Sequence, residues 1–402
     1  MFERAILLPS DVNRVATTPA KIRVGGRIVS GSARTFTLGD ALGTIAIETS
    51  QDELLAPGFL VVFDGTWDGQ VLRAATHIWR QATEITVADG EFARLAWQGI
   101  GQQLAQRSVA LSQVRSYFDA ERFVEVQTPT RVRAPGLDAN VEPIRAQGGW
   151  LVTSPELHLK RLLAGGMPRL FEIARCHRNE EIGRYHEPEF TLVEWYRAFE
   201  PVEAVMRDTE QLVQLVVQRL SGRLEVEHAG RHVDVETPFA RLSVAEAFER
   251  YAQRKDGNEL AEQDPDEWFR LWVELIEPAI ADFQRPLFVI DYPMSQAAMA
   301  RPKTENPRVA ERFELYCAGV ELCNGYGELT DPGEQVSRML QEVQSRLASG
   351  QPELPIDQRF ISALHEGLPP CSGNALGFDR LVMLATGAQV LADVVAFPWD
   401  RN

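Results

Sequence analysis

The sequence predicts an α+β fold: a catalytic domain built on an antiparallel sheet flanked by helices, preceded by a small OB-like β-barrel. Three observations carry this. Residues 21–80 alternate apolar and polar side chains between Gly- and Asp-containing turns, the pattern of half-buried strands. Beyond residue 150, strands interspersed with helices suggest returning, antiparallel runs rather than a doubly wound parallel sheet. The 402 residues, 45% hydrophobic and 24% charged, are ordinary for a soluble globular protein and leave room for two domains.

The barrel comes first, over 1–95. KIRVGGRIVS, RTFTLGDALGTIAIE and GFLVVFDGTWDGQVLRAATHIWR read as five short strands joined by GD, LG, DG and DGQ turns, which suits a Greek-key barrel of the OB type. Such barrels often bind single strands through aromatics, and Phe36, Phe63 and Trp67 are the candidates. Charges across the segment nearly balance, so no basic stripe supports that use, and a structural or protein-docking role is favoured. Residues 81–97 read as a linker to the second domain, 96–402. There a helix carries Leu104, Leu111, Val114 and Phe118 on one stripe, to be buried on the catalytic sheet or on a twin chain. FVEVQTPT is a short strand stopped by Pro129. LVTSPELHLKRLLAG reads as strand, turn at Ser154-Pro155, then helix; RLFEIARCHR and FTLVEWYRAF form an antiparallel pair. Residues 202–220 are an amphipathic helix, and 241–285 are mostly helical without a readable motif.

Bulk chemistry narrows the function. A net charge of −16 disfavours general nucleic-acid affinity, though it leaves room for a local basic groove. The longest apolar runs, such as LVQLVV at 212–217, fall short of a bilayer span. MFERAILLPSDVNR is charged too early for a secretory signal, so a cytoplasmic protein is expected. Cys176, Cys317, Cys323 and Cys371 form no CxxC pair and read as reduced core or pocket-wall thiols.

Four stretches carry chemistry. In RNEEIGRYHEPEFTLVEWYR (178–197), Arg178 stands at a sheet rim beside a loop holding Glu180, Arg184 and His186. A guanidinium there can grip phosphate oxygens bidentately; a solvated ion-pair network is the bland alternative. In FELYCAGVELCNGYGEL, Glu314, Glu321 and Glu328 recur every seven residues. A two-residue turn at Cys317-Ala318 would set Glu314 directly across from Glu321, a pair of hard ligands suited to Mg²⁺, whereas an odd turn would part them to opposite faces. In SGNALGFDRLVMLATGA, Gly373, Ala375 and Gly377 alternate on one strand face and let a flat ligand approach, while Arg380 sits in a helix's first turn, where a cation answers an anionic ligand. In TSPELHLKR, Glu156 opens a helix and is either ordinary first-turn charge or an amine binder.

Together these stretches resemble the catalytic domain of class II aminoacyl-tRNA synthetases, in the lysine-specific branch, over about 100–402. Motif one is similar to FVEVQTP with its preceding helix, motif two to FEIARCHRNEEIGRYHEPEFTLVEWYR, and motif three to GNALGFDRLVML. Within the branch the chain resembles the elongation factor P–(R)-β-lysine ligases more than lysyl-tRNA synthetases, which carry a glycine where Ala375 stands. The resemblance implies ATP held by Arg178, Asn179, Glu180, Glu187, Glu321, Leu322, Gly377 and Arg380, with Arg178 and Arg380 catalytic. It implies Mg²⁺ at Glu314 and Glu321, and lysine or β-lysine at Ser154, Pro155, Glu156, Tyr196, Asn324, Glu328 and Ala375. The expected activity is formation of an aminoacyl-adenylate and transfer to a lysine side chain of elongation factor P, in a homodimer. Transfer to tRNA is the alternative, and an inactive paralogue acting as a binding protein a third reading. The chain departs from those ligases at Glu187, where they usually have Asn, at Gly327, where they have His, and in having a barrel at all.

Overall fold

The computed structural model describes residues 5–15, 18–82, 90–138, 141–297 and 299–402. Part of the expected linker, residues 83–89, lies outside them. The chain divides into two compact units, Met1–Gln106 and Arg107–Asn402.

The first unit holds a closed barrel of β1 (Ala20–Gly39), β2 (Thr44–Glu53), β3 (Leu60–Trp67) and β4 (Val71–Gln81), in the order β1-β2-β4-β3. Four strands stand where five were expected, because one long β1 serves two sides. Its first half pairs with β3 and its second half with β2. The bend between them falls at Gly31, whose φ of +121° is strained for other residues and whose Cβ would lie 2.3 Å from the Thr35 carbonyl. Phe36, Phe63 and Trp67 are at most 3% exposed and fill the barrel interior. That overturns their reading as a base-stacking face: alternation put them on one side of their strands, and closure turned that side inward. Three of the barrel's arginines are also paired, with Arg23 on Asp64 at 2.8 Å, Arg34 on Asp52 at 2.6 Å and Arg73 on Asp68 at 2.6 Å.

The second unit is an eight-stranded sheet with helices packed on it. In chain order its strands are β5 (Val124–Glu125), β6 (Arg169–His177), β7 (Glu189–Ala198), β8 (Ala240–Ser243), β9 (Leu287–Ile290), β10 (Arg312–Cys317), β11 (Val320–Gly327) and β12 (Cys371–Gly377). The sheet order is β8-β9-β10-β11-β12-β7-β6-β5, antiparallel except for the outer pairs β8–β9 and β5–β6. Five helices matter to the site: α1 (Ile100–Ala120), which begins in the first unit, α2 (Glu156–Ala164), α3 (Val202–Ser221), α4 (Pro332–Ala348) and α5 (Phe378–Thr386). The mostly helical stretch expected at 241–285 packs its own core around Phe248, Trp268 and Trp272.

Strand alternation decides which side chains meet the helices and which meet the opposite face. On β7, Trp195 and Arg197 face the helical core. Arg197 donates to Asp208 of α3 at 2.7 and 2.6 Å, and Trp195 Nε1 and Tyr117 of α1 donate to the same carboxylate at 3.1 and 2.7 Å. From the expected stripe of α1, Val114 and Phe118 are fully buried in that core and Leu111 packs against it. With its helix side pinned in this way, β7 must present Glu194 and Tyr196 to the other face. Among the described residues no helix is long and apolar enough to cross a membrane.

Candidate active site

The cavity lies over the middle of the sheet. Strand register places Glu172, Glu194, Ala375, Asn324 and Glu314 in one row across β6, β7, β12, β11 and β10. The next row runs Tyr196, Gly373, Tyr326 and Arg312. The small residues of β12 therefore form a floor between polar walls. Gly373 is required there, since a Cβ would sit 2.3 Å from the Tyr196 ring. The space enclosed is about 520 Å³, of the size that takes a small-molecule ligand.

One part of this cavity is cationic. Arg178 follows β6 directly, stacks over Phe190 at 5.1 Å, and contacts Glu181 at 3.5 Å. Its buried Nε has no partner, a donor left for a ligand. Arg380, in the first turn of α5, donates to the carbonyls of Glu321 at 2.8 Å and Tyr185 at 3.2 Å. It also lies 2.7 Å from His186 Nε2. That nitrogen faces a guanidinium and so must accept, which puts the imidazole proton on Nδ1. Desolvation and Arg380 keep His186 below the usual histidine pKa, hence neutral.

Another part is acidic. Glu194 is 1% exposed and accepts from Ser154 at 2.6 Å and Tyr196 at 2.8 Å. Desolvation, then the charge of Glu156, push its pKa up to about 8. Glu328, fully buried, is pushed up to about 7 by desolvation, against the pull of Lys160. Asn324 Oδ1 is buried without a partner. Unfilled acceptors beside carboxylates suit a charged hydrogen-bond donor such as an ammonium.

Of the residues expected at the site, Ser154, Glu156, Arg178, Glu187, Tyr196, Glu321, Leu322, Asn324, Glu328, Ala375, Gly377 and Arg380 line this one cavity. Pro155, Asn179, Glu180 and Glu314 do not. Pro155 is buried as the N-cap of α2. Asn179 and Glu180 are exposed on the loop after Arg178, Glu180 with φ +63°. Glu187 lines the cavity, but its Oε2 accepts from the Trp399 backbone at 2.9 Å.

The Glu314–Glu321 pairing needs correction. The tight turn is at Ala318-Gly319, not Cys317-Ala318, with Cys317 paired to Val320. Both turn residues have positive φ, +52° and +81°, as a two-residue hairpin demands. A bulge at Leu322 then shifts the register, so Glu314 faces Asn324 and Glu321 faces Tyr316. The bulge keeps Glu314 and Glu321 on the same face without making them direct partners. Glu314 is already bound by Arg312, by Tyr292 at 2.6 Å and by Tyr316 at 2.7 Å. Of the two, only Glu321 lines the cavity, and desolvation followed by the Glu314 charge raises its pKa to about 7. A cation bound to phosphates would find one hard ligand there; no group of three potential metal ligands occurs among the described residues.

Glu194, Lys160 and Arg312 belong to the site and were not among the expected residues. Glu194 was findable, because a carboxylate two positions before Tyr196 in an apolar strand must share its face. Lys160 was signalled only by its i+4 spacing from Glu156. Gly377 makes a test possible. A Cβ there would meet Arg380 Cδ at 3.5 Å and the Leu322 carbonyl at 3.6 Å, ordinary contacts, and its φ is −69°. The protein itself therefore does not need glycine. We expect Gly377→Ala to leave the melting temperature unchanged and to raise KM for ATP about ten- to hundredfold by denying close approach; a lowered melting temperature with unchanged KM would reverse that assignment.

The model of the family "tRNA synthetases class II (D, K and N)" matches residues 86–401. The elongation factor P–(R)-β-lysine ligase of Yersinia enterocolitica is 42% identical over 314 residues, covering 74% of this chain and 95% of that relative. The ligases of that name from Salmonella paratyphi B and Salmonella schwarzengrund are each 41% identical over the same shares.

Proposed function

The chain belongs to the class II tRNA synthetases, and from that premise we propose that it is an ATP-dependent ligase that activates lysine or (R)-β-lysine and transfers it to a lysine side chain of elongation factor P. The observation that carries this reading is the shared cavity. Arg178 and Arg380 line the same space as Glu156, Glu194 and Glu328, so a triphosphate and a diamine are held in reach of each other.

In the first step a carboxylate oxygen of the diamino acid attacks the α-phosphorus, the bond to pyrophosphate breaks, and an aminoacyl-adenylate forms. Arg178 and Arg380 supply positive charge where it develops on the phosphates. Gly373, Ala375 and Gly377 leave the floor open for the adenylate. Glu194 and Tyr196 orient one amino group, and the Glu156–Glu328 wall receives the other. Analogues lacking an amine leave carboxylates unpaired and are rejected. In the second step the acceptor nitrogen attacks the carbonyl carbon, AMP leaves, and the nitrogen sheds a proton. Mg²⁺, held by Glu321 and the phosphates, would offset charge on the departing pyrophosphate.

The buried barrel aromatics and the pairing of Arg23, Arg34 and Arg73 with carboxylates weigh toward a protein acceptor over tRNA. The reading includes a homodimer: β5 closes one edge of the sheet with Val124 49% exposed, and an open edge invites pairing. The four free, buried cysteines suit a cytoplasmic setting. The deciding experiment offers purified protein, ATP and each lysine isomer to elongation factor P and to tRNA. Labelled elongation factor P without labelled tRNA is expected. Labelled tRNA alone would replace the acceptor, and absence of ATP–pyrophosphate exchange with either isomer would defeat the ligase reading itself.

A further inference from the structure

We propose that Lys160 is a positioning residue that sets the charge of the diamine site: its ammonium, locked between Glu156 and Glu328, offsets one carboxylate charge and leaves the site matched to two substrate ammonium groups. This rests on the ligase reading above.

Lys160 lies on the buried side of α2, one turn after Glu156, and is 1% exposed. Its Nζ donates to Glu156 Oε1 at 2.6 Å and lies 2.5 Å from Glu328 Oε2. Glu328 Oε1 has no partner although the residue is fully buried and lines the cavity. An unfilled acceptor on a buried carboxylate is costly unless a ligand completes it. Burial alone would push the Lys160 pKa down; the two carboxylates outweigh it and hold the pKa above the ordinary lysine value. The ammonium is therefore permanent.

When ammonium groups hold them ionised, Glu156, Glu194 and Glu328 bring three negative charges, and Lys160 offsets one. Two remain, equal to the two ammonium groups of a lysine-type diamino acid. Other titratable groups face the cluster from each packed element: Tyr196 from β7, Tyr326 from β11, Cys371 from β12, Arg301 from the loop before β10, and Asp138. Arg301 is itself committed to Glu311 at 2.6 Å. Lys160 is thus the cation in direct contact with both carboxylates, and it also lowers the Glu194 pKa.

The test reads the pH profile of kcat/KM for the diamino acid, which reports groups of the free enzyme. With Lys160→Met, carboxylates lose their counter-charge and ionise later, so the inflection moves up by about one unit and KM for the diamino acid at pH 7 rises about tenfold, with KM for ATP unchanged. Lys160→Arg keeps the charge and should restore the wild-type inflection. Glu328→Gln, close in shape, removes a neighbouring negative charge and should move the inflection down, which keeps the idea testable if the Met variant does not fold. An unmoved inflection in Lys160→Met that still binds ATP, or in Glu328→Gln, overturns the role. Wild-type protein that fails to exchange pyrophosphate with either lysine isomer overturns the ligase reading instead.

Discussion

Arg178→Ala is expected to lower diamino-acid-dependent ATP–pyrophosphate exchange by about 10³-fold or more, with circular dichroism and melting temperature unchanged. The side chain makes little structural contribution: one loose contact to Glu181 at 3.5 Å and a stack on Phe190. Its buried Nε is unpartnered, so truncation leaves no orphaned protein group. What is lost is a fixed cation in a partly dry cavity, where an arginine on phosphate is worth several kcal/mol. Arg178→Lys should recover only a small part, because an ammonium lacks the planar two-point grip. Exchange retained in Arg178→Ala would remove this residue from the reaction.

Glu194→Gln should have the largest effect on amine recognition: KM for the diamino acid rising about 10²-fold or more while KM for ATP holds. The carboxylate is 1% exposed and held by Ser154 and Tyr196, so an amide of equal size fits but offers no charge to an ammonium. The wild-type pH dependence follows in sign. Burial and Glu156 raise the Glu194 pKa to about 8, so at neutral pH the empty site is largely protonated there. An ammonium pairs with the ionised form. Hence kcat/KM should climb from pH 6 to 9 in the wild type, and the component of that climb due to Glu194 should vanish in Glu194→Gln. A wild-type profile flat across that interval would contradict the assignment.

Much of the site was readable because its residues lie in short, dense runs. Arg178 and Tyr196 are in one hairpin, and Gly373, Ala375, Gly377 and Arg380 in one strand–helix unit. Local alternation is enough to put such residues on a common face. Glu314 shows where this stops. Whether it met Glu321 depended on a turn one residue further along and on a bulge at Leu322, and a one-residue slip is invisible to periodicity. The barrel aromatics failed for a related reason: alternation sorts side chains into two faces but does not say which face closure will bury.

Sequence by itself determined the α+β architecture, the family and, apart from Glu194, Lys160 and Arg312, the cationic and acidic candidates, since each is written in local pattern and near-contiguous phrases. Tertiary structure alone decided that these sets share one cavity, that Glu314 is withheld by Arg312 and two tyrosines, and that Lys160 joins carboxylates 172 residues apart in the chain. The physical reason is that pairing of buried charges is settled by three-dimensional proximity and desolvation, and neither is encoded in spacing along the chain.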